Sequence, residues 1–270
     1  MRYLHRSKSH CNTGTCPNMM LYQADGFMPM ISIRQEAANT MHEARRTTSQ
    51  AFFMEAETPK QLAQLALHYP RLLTEPRGDG HPVLFMPGYT ASDTSTRSLR
   101  RYFKLLGYDA RGWGLGRNSG DVAQLAPQVA EIVAKMNAAS GSKVSLVGWS
   151  MGGVIAREVA LHHPDLIRRV ITMGSPITGG PKYTAFAAQL ASGGVDLDAI
   201  EAHIHHRQRT SPPLKVPVTA IFSRRDGVVA WQACIDQINQ SVEHVEVTSS
   251  HLGLGFDPKV YRLIARRLSA

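Results

Sequence analysis

The chain has 270 residues, 43% of them hydrophobic, and 30 Lys and Arg against 21 Asp and Glu give it a formal net charge of +9. That length suits one large α/β domain or two small ones, and no stretch reaches the roughly 20 apolar residues of a membrane-spanning helix. Cys11, Cys16 and Cys234 form no disulfide framework, and the basic residues lack the aromatic interleaving expected of a nucleic-acid binder.

The basic start MRYLHRSKSH has no clean apolar run after it, because Gln23, Asp25 and Pro29 interrupt residues 19–33. A cytoplasmic location is expected. The Cys11/Cys16 pair lacks the partners of a zinc site and reads as incidental. Arg97, Arg100, Arg101 and Lys104 share one helical face, and Arg168/Arg169, Arg224/Arg225 and Arg266/Arg267 are doublets. These read as solvated faces and loop ends, with attraction to an anionic substrate or peripheral contact with an anionic membrane surface as the functional alternative.

Residues 1–58 carry no sustained periodicity and are expected to be an N-terminal extension. Thr58 as cap and Pro59 at the first position then start a helix with Leu62, Leu65, Ala66 and Tyr69 on one face, stopped by Pro70. A buried strand at 82–86 ends in Pro87-Gly88-Tyr89-Thr90. A helix over 94–106, capped by Thr94 or Ser95, leads to a strand at 108–113 and the loop GWGLGRN. Asp121 caps the next helix, which Gly141 ends. Strands follow at 144–147 and 170–173, the second broken by Gly174-Ser175-Pro176.

Residues 179–215 form a long excursion with short helices near 183–190 and 197–206. The pattern resumes with a strand at 216–222, a helix at 230–238, a strand at 242–247 and an amphipathic helix at 260–268. Six strands alternating with helices predict a mostly parallel sheet covered on both faces, in one domain over 59–270 with an insertion at 179–215.

The chemistry centres on Gly148-Trp149-Ser150-Met151-Gly152-Gly153, which joins the apolar strand at 144–147 to a helix. Strand, G-x-S-x-G and helix together are the context of a nucleophile elbow. Gly148 and Gly152 let backbone close in, and Ser150 is expected in a strained conformation with its hydroxyl projecting. A serine nucleophile needs a base, and the base needs an orienting acid. Both must sit on loops at the carboxyl ends of strands, where the serine is. Asp226 is the lone carboxylate of the loop after 216–222, and His251 the lone imidazole of the loop after 242–247.

Other groups fit less well. His244 lies inside a strand. His203, His205 and His206 have no matching acidic or Cys ligands and read as a solvated helix face, so no metal is expected. His162 and His163 end the elbow helix, and Asp196, Asp198 and Asp257 read as caps or surface groups. The Met151 N–H and the Tyr89 N–H, beside Gly88, are the candidate oxyanion donors.

From about His81 to the end the chain resembles the α/β-hydrolases, nearest to bacterial serine esterases and lipases. PVLFMPGYTAS, GWGLGRNSG, GWSMGG, ITMGSP, SRRDGVV and SSHLGL carry the resemblance, in the family's order. It implies an α/β-hydrolase fold without a cofactor and hydrolysis through an acyl-serine, with Ser150, Asp226, His251, Met151 and Tyr89 on matching motif positions. Two departures stand out: Pro-Gly replaces the His-Gly common at the oxyanion turn of lipases, and Trp149 precedes the serine.

The excursion at 179–215 falls where the family keeps a helical lid. Trp149, Tyr183, Phe186 and Leu252 are the residues expected near an apolar acyl group. The expected function is a carboxylic-ester hydrolase acting on a small-molecule or lipid ester. The alternatives are an acyltransferase or thioesterase with the same relay, or a non-catalytic binding protein of the same fold.

Overall fold

The computed structural model describes residues 30–44 and 53–270. Cys11, Cys16 and the basic N-terminal decapeptide lie outside the described residues.

Largely apolar runs build the inner strands of the sheet. Its strands are β1 (Pro82–Met86), β2 (Asp109–Gly112), β3 (Val144–Trp149), β4 (Ile167–Met173), β5 (Val218–Ser223) and β6 (Glu243–Val247). Among the described residues they form one six-stranded sheet in the order β2-β1-β3-β4-β5-β6, with every pairing parallel. Side chains alternate between two cores, as the two-residue period of a strand requires. Val83, Phe85, Val147 and Trp149 face one side, and Leu84, Met86, Val144 and Leu146 the other.

The first core is covered by α2 (Thr58–Leu72), α3 (Arg97–Leu105) and α8 (Pro258–Leu268), and the second by α4 (Val122–Ser140) and α5 (Met151–His162). β1 and β3 are neighbours whose connections leave in opposite directions along the sheet. The crevice at their carboxyl ends is the topological switch point where open α/β sheets place ligands.

Several elements differ from the sequence expectation, each for a local reason. The helix expected at 94–106 begins only at Arg97. Upstream, the hydroxyls of Ser95 and Thr96 donate back to the carbonyls of Ser92 and Asp93, which favours successive turns over helix. Thr58 is the first residue of α2 rather than its cap, and its hydroxyl is spent on Ser250. Pro70 does not stop α2, because Leu72 is fully buried and its carbonyl accepts from the Tyr102 hydroxyl at 2.8 Å.

The helix expected at 230–238 is only a 3-10 turn over Trp231–Cys234. Asp236 Oδ1 takes the N–H groups of Ile238 and Asn239, both at 2.8 Å, and so diverts the backbone from helical pairing. Asp121 and Gly141 do cap α4, the aspartate accepting from Gln124 N at 3.0 Å and the glycine adopting φ 66°.

The excursion after β4 contains a 3-10 turn (Gly180–Tyr183), α6 (Ala187–Ser192) and α7 (Leu197–Thr210). Helix α1 (Met30–Thr40) packs Ile33 and Ala37 against Phe222 and Trp231 beyond β5. Its Arg34 donates to the carbonyls of Asp236 at 2.8 Å and Asn239 at 2.9 Å. Helix α1 therefore contributes buried contacts that periodicity did not reveal.

Candidate active site

Ser150 sits between β3 and α5 with φ 53° and ψ −123°, a region costing a non-glycine residue about 1–3 kcal/mol. Its N–H donates to the Met173 carbonyl at 2.7 Å, which ties the strained residue to β4. The glycines around it answer to sterics. A Cβ on Gly148 would collide with the backbone of Gly152 and Gly153, and one on Gly152 would lie 2.5 Å from the Met86 carbonyl oxygen. Met151 opens α5, whose first N–H groups have no partner within the helix and carry the positive end of its dipole.

Beyond the β5 and β6 ends, Asp226 Oδ2 accepts from His251 Nδ1 at 2.7 Å. Asp226 is fully buried, and its Oδ1 accepts from Val228 N at 2.9 Å and Val229 N at 2.7 Å. An ionised carboxylate can only accept, so Nδ1 carries the proton and Nε2 is left as the basic nitrogen. Burial opposes charging the imidazole. The charge and hydrogen bond of Asp226, with the charge of Glu55, outweigh it and raise the His251 pKa above its ordinary value. Among the described residues Ser150 Oγ makes no hydrogen bond, and such contacts commonly tighten only when substrate binds.

The turn after β1 lies against the serine, a Cβ on Gly88 falling 3.2 Å from Ser150 Cβ. Asn118 holds that turn in place. Its Nδ2 donates to Pro87 O at 2.8 Å, its N–H to Ala91 O at 2.9 Å, and its carbonyl accepts from Thr90 N at 2.8 Å. Asn118 was visible in sequence only as one member of a Gly-rich loop. Between these anchors the Tyr89 N–H has no acceptor among the described residues. The Tyr89 ring packs edge-on against Phe186, with centroids 5.9 Å apart.

A second Ser-His-Asp grouping lies at the opposite end of the sheet. His81 Nε2 is 3.0 Å from Ser145 Oγ, and its Nδ1 meets Asp79. This grouping is shut off from substrate. Ser145 is fully buried near the start of β3, His81 is buried beside Tyr108, and Arg168 donates to Asp79 at 2.8 Å. Burial lowers the His81 pKa. It is a polar clamp between the β1 entrance and β3.

A groove of about 750 Å³ starts at Met151 and runs along α5 between α4 and α7. Val122, Ala126, Val154, Ile177, Ile200 and Ile204 line it. Two residues expected near the substrate are buried in the protein. The Trp149 ring lies beneath His251, its Nε1 donating to the His251 carbonyl at 3.2 Å. Tyr183 packs with Trp231 and Ala233, its hydroxyl donating to Glu201 at 2.5 Å. Phe186 and Leu252 are exposed at 38% and 49%, large apolar side chains open to solvent. His203, His205 and His206 fall on α7, and no group of three or more metal-ligating side chains occurs among the described residues.

A family model described as the alpha/beta hydrolase fold matches residues 82–194, from β1 through the elbow into the excursion. The chain has the α/β-hydrolase fold. Among curated relatives, it is 27% identical over 129 residues to the pimeloyl-[acyl-carrier protein] methyl ester esterase of Vibrio cholerae, a match covering 46% of each chain. It is 32% identical over 119 residues to the mouse serine hydrolase BPHL, covering 40% of this chain and 39% of the relative. The chain thus spans less than half the length of these relatives.

Among solved structures, Bacillus licheniformis lipase BlEst2 superposes with a TM-score of 0.56 at 18% identity, covering 72% of this chain and 94% of the other. The Paleococcus ferrophilus monoacylglycerol lipase gives 0.53 at 16% identity, covering 70% and 95%. At these identities the likeness speaks for the α/β-hydrolase fold alone.

Proposed function

We propose that this α/β-hydrolase cleaves carboxylic esters through an acyl-serine intermediate. The observation that carries the reading is the placement of three groups at one edge of a parallel sheet. The strained Ser150 ends β3, and the His251–Asp226 pair, bonded at 2.7 Å, stands on the loops after β5 and β6, at the carboxyl ends of strands of the same sheet. In this reading Ser150 Oγ attacks the acyl carbon while His251 Nε2 takes its proton. The Met151 and Tyr89 N–H groups receive the charge that develops on the carbonyl oxygen, each donor lowering the barrier by about 3 kcal/mol. His251 then returns the proton to the leaving alcohol. Water, activated by the same imidazole, attacks the acyl-serine and releases the acid.

The apolar groove beginning at Met151 supports an apolar acyl group as the preferred substrate moiety. The excursion over 179–215 acts as its lid, with Phe186 resting on Tyr89 at the oxyanion turn. Curated relatives named as esterases are consistent with ester cleavage.

Turnover of p-nitrophenyl esters with acyl chains of graded length, measured beside Ser150→Ala, tests the reading. Activity should rise from acetyl to medium-chain esters and vanish in the variant. Equal turnover of short and medium chains would remove the apolar acyl preference, and activity surviving Ser150→Ala would remove the mechanism.

A further inference from the structure

We propose that Glu55, upstream of the matched hydrolase core, is a positioning residue that locks the acid-bearing and base-bearing loops together and holds the His251 imidazole in its working state. The inference rests on the relay reading given above.

A single carboxylate bridges the two loops. Glu55 Oε1 accepts from Gly227 N at 3.2 Å, one residue after Asp226, and from His251 N at 2.7 Å. Its Oε2 accepts from Leu252 N at 2.8 Å. His251 and Leu252 begin the 3-10 turn Leu252–Gly255, so the carboxylate also meets free N–H groups at the start of that turn. Among the described residues the other side-chain hydrogen bond joining these loops is Asp226–His251, and a carboxylate bonded to both loops fixes the spacing across which it forms.

Neighbouring residues reinforce the clamp. Thr58 Oγ1 lies 2.9 Å from Ser250 Oγ, and Gln61 Oε1 accepts from Ser250 Oγ at 2.9 Å. Glu57 pairs with Arg225 at 2.9 Å on the acid loop. The segment from Glu55 to Gln61 thus grips both loops from outside the sheet. A surface segment with no part in positioning would have no reason to place four polar side chains on these two loops.

The charge of Glu55 acts on the imidazole as well. The ionisable groups acting on His251 are Asp226, from the loop after β5, and Glu55, from the arm before α2. Cys234 sits near Asp226, with its thiol pushed up by burial first and by Asp226 second. Trp149 and the Leu252–Gly255 turn contribute no charge. Both carboxylates favour the imidazolium that forms when the serine is deprotonated, so removing one makes His251 a weaker base.

The test uses the full chain and a readout independent of turnover. The His251 pKa is followed by NMR of its imidazole nitrogens in the parent, Glu55→Gln and Glu55→Ala proteins, with kcat and KM measured across pH in parallel. Glu55→Gln keeps one acceptor oxygen and removes the charge. It should lower the His251 pKa by roughly half a unit and move the acid limb of the kcat/KM profile to lower pH by the same amount. Glu55→Ala should add a fall of roughly tenfold or more in kcat with KM little changed, as expected when a base is displaced while substrate binding stays intact.

A His251 pKa within a tenth of a unit of the parent in Glu55→Gln, with kcat preserved, would overturn the proposal (~0.1 unit being small against the ordinary charge effects). Should Glu55→Ala fail to fold, Glu55→Gln alone decides. If Ser150→Ala retains full activity, the relay reading fails. The NMR shift still reports whether Glu55 governs His251.

Discussion

Gly174 shows how little room the relay leaves. It follows β4 with φ 55°, and a Cβ there would stand 2.8 Å from Asp226 Oδ2 and 3.0 Å from His251 Nδ1. The backbone just past β4 is therefore the floor of the Asp226–His251 bond, and only a residue without a side chain fits both the space and the conformation. Gly174→Ala should lower kcat by roughly a hundredfold, in line with the cost of a catalytic group misplaced by about 1 Å. Folding, followed by circular dichroism, should be retained. Parent-like kinetics in that variant would mean that the two side chains can move apart at no cost. Asp226 and His251 were legible in the sequence because each is the lone carboxylate or imidazole on its strand-end loop. Glu55 was not, since its partners lie 172 to 197 residues away and no local pattern marks it.

At the scale of elements, the turn after β1 and the loop after β2 act as one unit through Asn118. This side chain is buried, and both its amide atoms are used, Nδ2 on Pro87 O and Oδ1 on Gly120 N. Asn118→Ala leaves the Pro87 carbonyl without its donor and frees the turn carrying Tyr89. We expect kcat to fall by roughly tenfold to a hundredfold, short of the full loss of an oxyanion donor, with KM within about twofold. Steady-state kinetics at saturating ester would show it; an unchanged kcat would detach this turn from the chemistry.

The same scale explains which elements were readable. The inner strands β1, β3 and β5 announced themselves because every residue in them is buried, giving largely apolar runs. The stretch at 230–238 looked helical by its apolar spacing, yet Asp236 captures two backbone N–H groups and pairs with Arg157 of α5, tertiary choices that outrank local periodicity.

For the whole molecule, acid should be more damaging than the net charge alone suggests. His244 is fully buried in β6, its Nε2 accepting from Asp236 N at 2.9 Å. Burial, aided by the charge of Arg34, pushes its pKa from an ordinary 6.5 down to about 4. The unfolded chain therefore binds the extra proton between those values. Stability from this group is complete above the unfolded value and is lost as pH falls towards the folded one, by about 3 kcal/mol at the lower limit. Chemical denaturation at about pH 7 and about pH 5 should show a drop of roughly 2 kcal/mol. His244→Gln, which keeps an acceptor for Asp236 N, should flatten it. An equal drop in both proteins would place the acid sensitivity elsewhere. Asp236 also accepts on behalf of the segment that Arg34 of α1 grips, so α1 and the sheet edge beyond β5 are expected to loosen together.

The proposed chemistry stands on the serine at the β3–α5 elbow, and not another hydroxyl, acting as the nucleophile. Labelling the folded protein with a fluorophosphonate, and locating the adduct by peptide mass spectrometry, tests this most directly. A single adduct on Ser150, slowed by roughly a hundredfold or more in His251→Ala, is the expected result. No adduct on the folded protein, or an adduct on Ser145 of the buried His81 cluster, would contradict it.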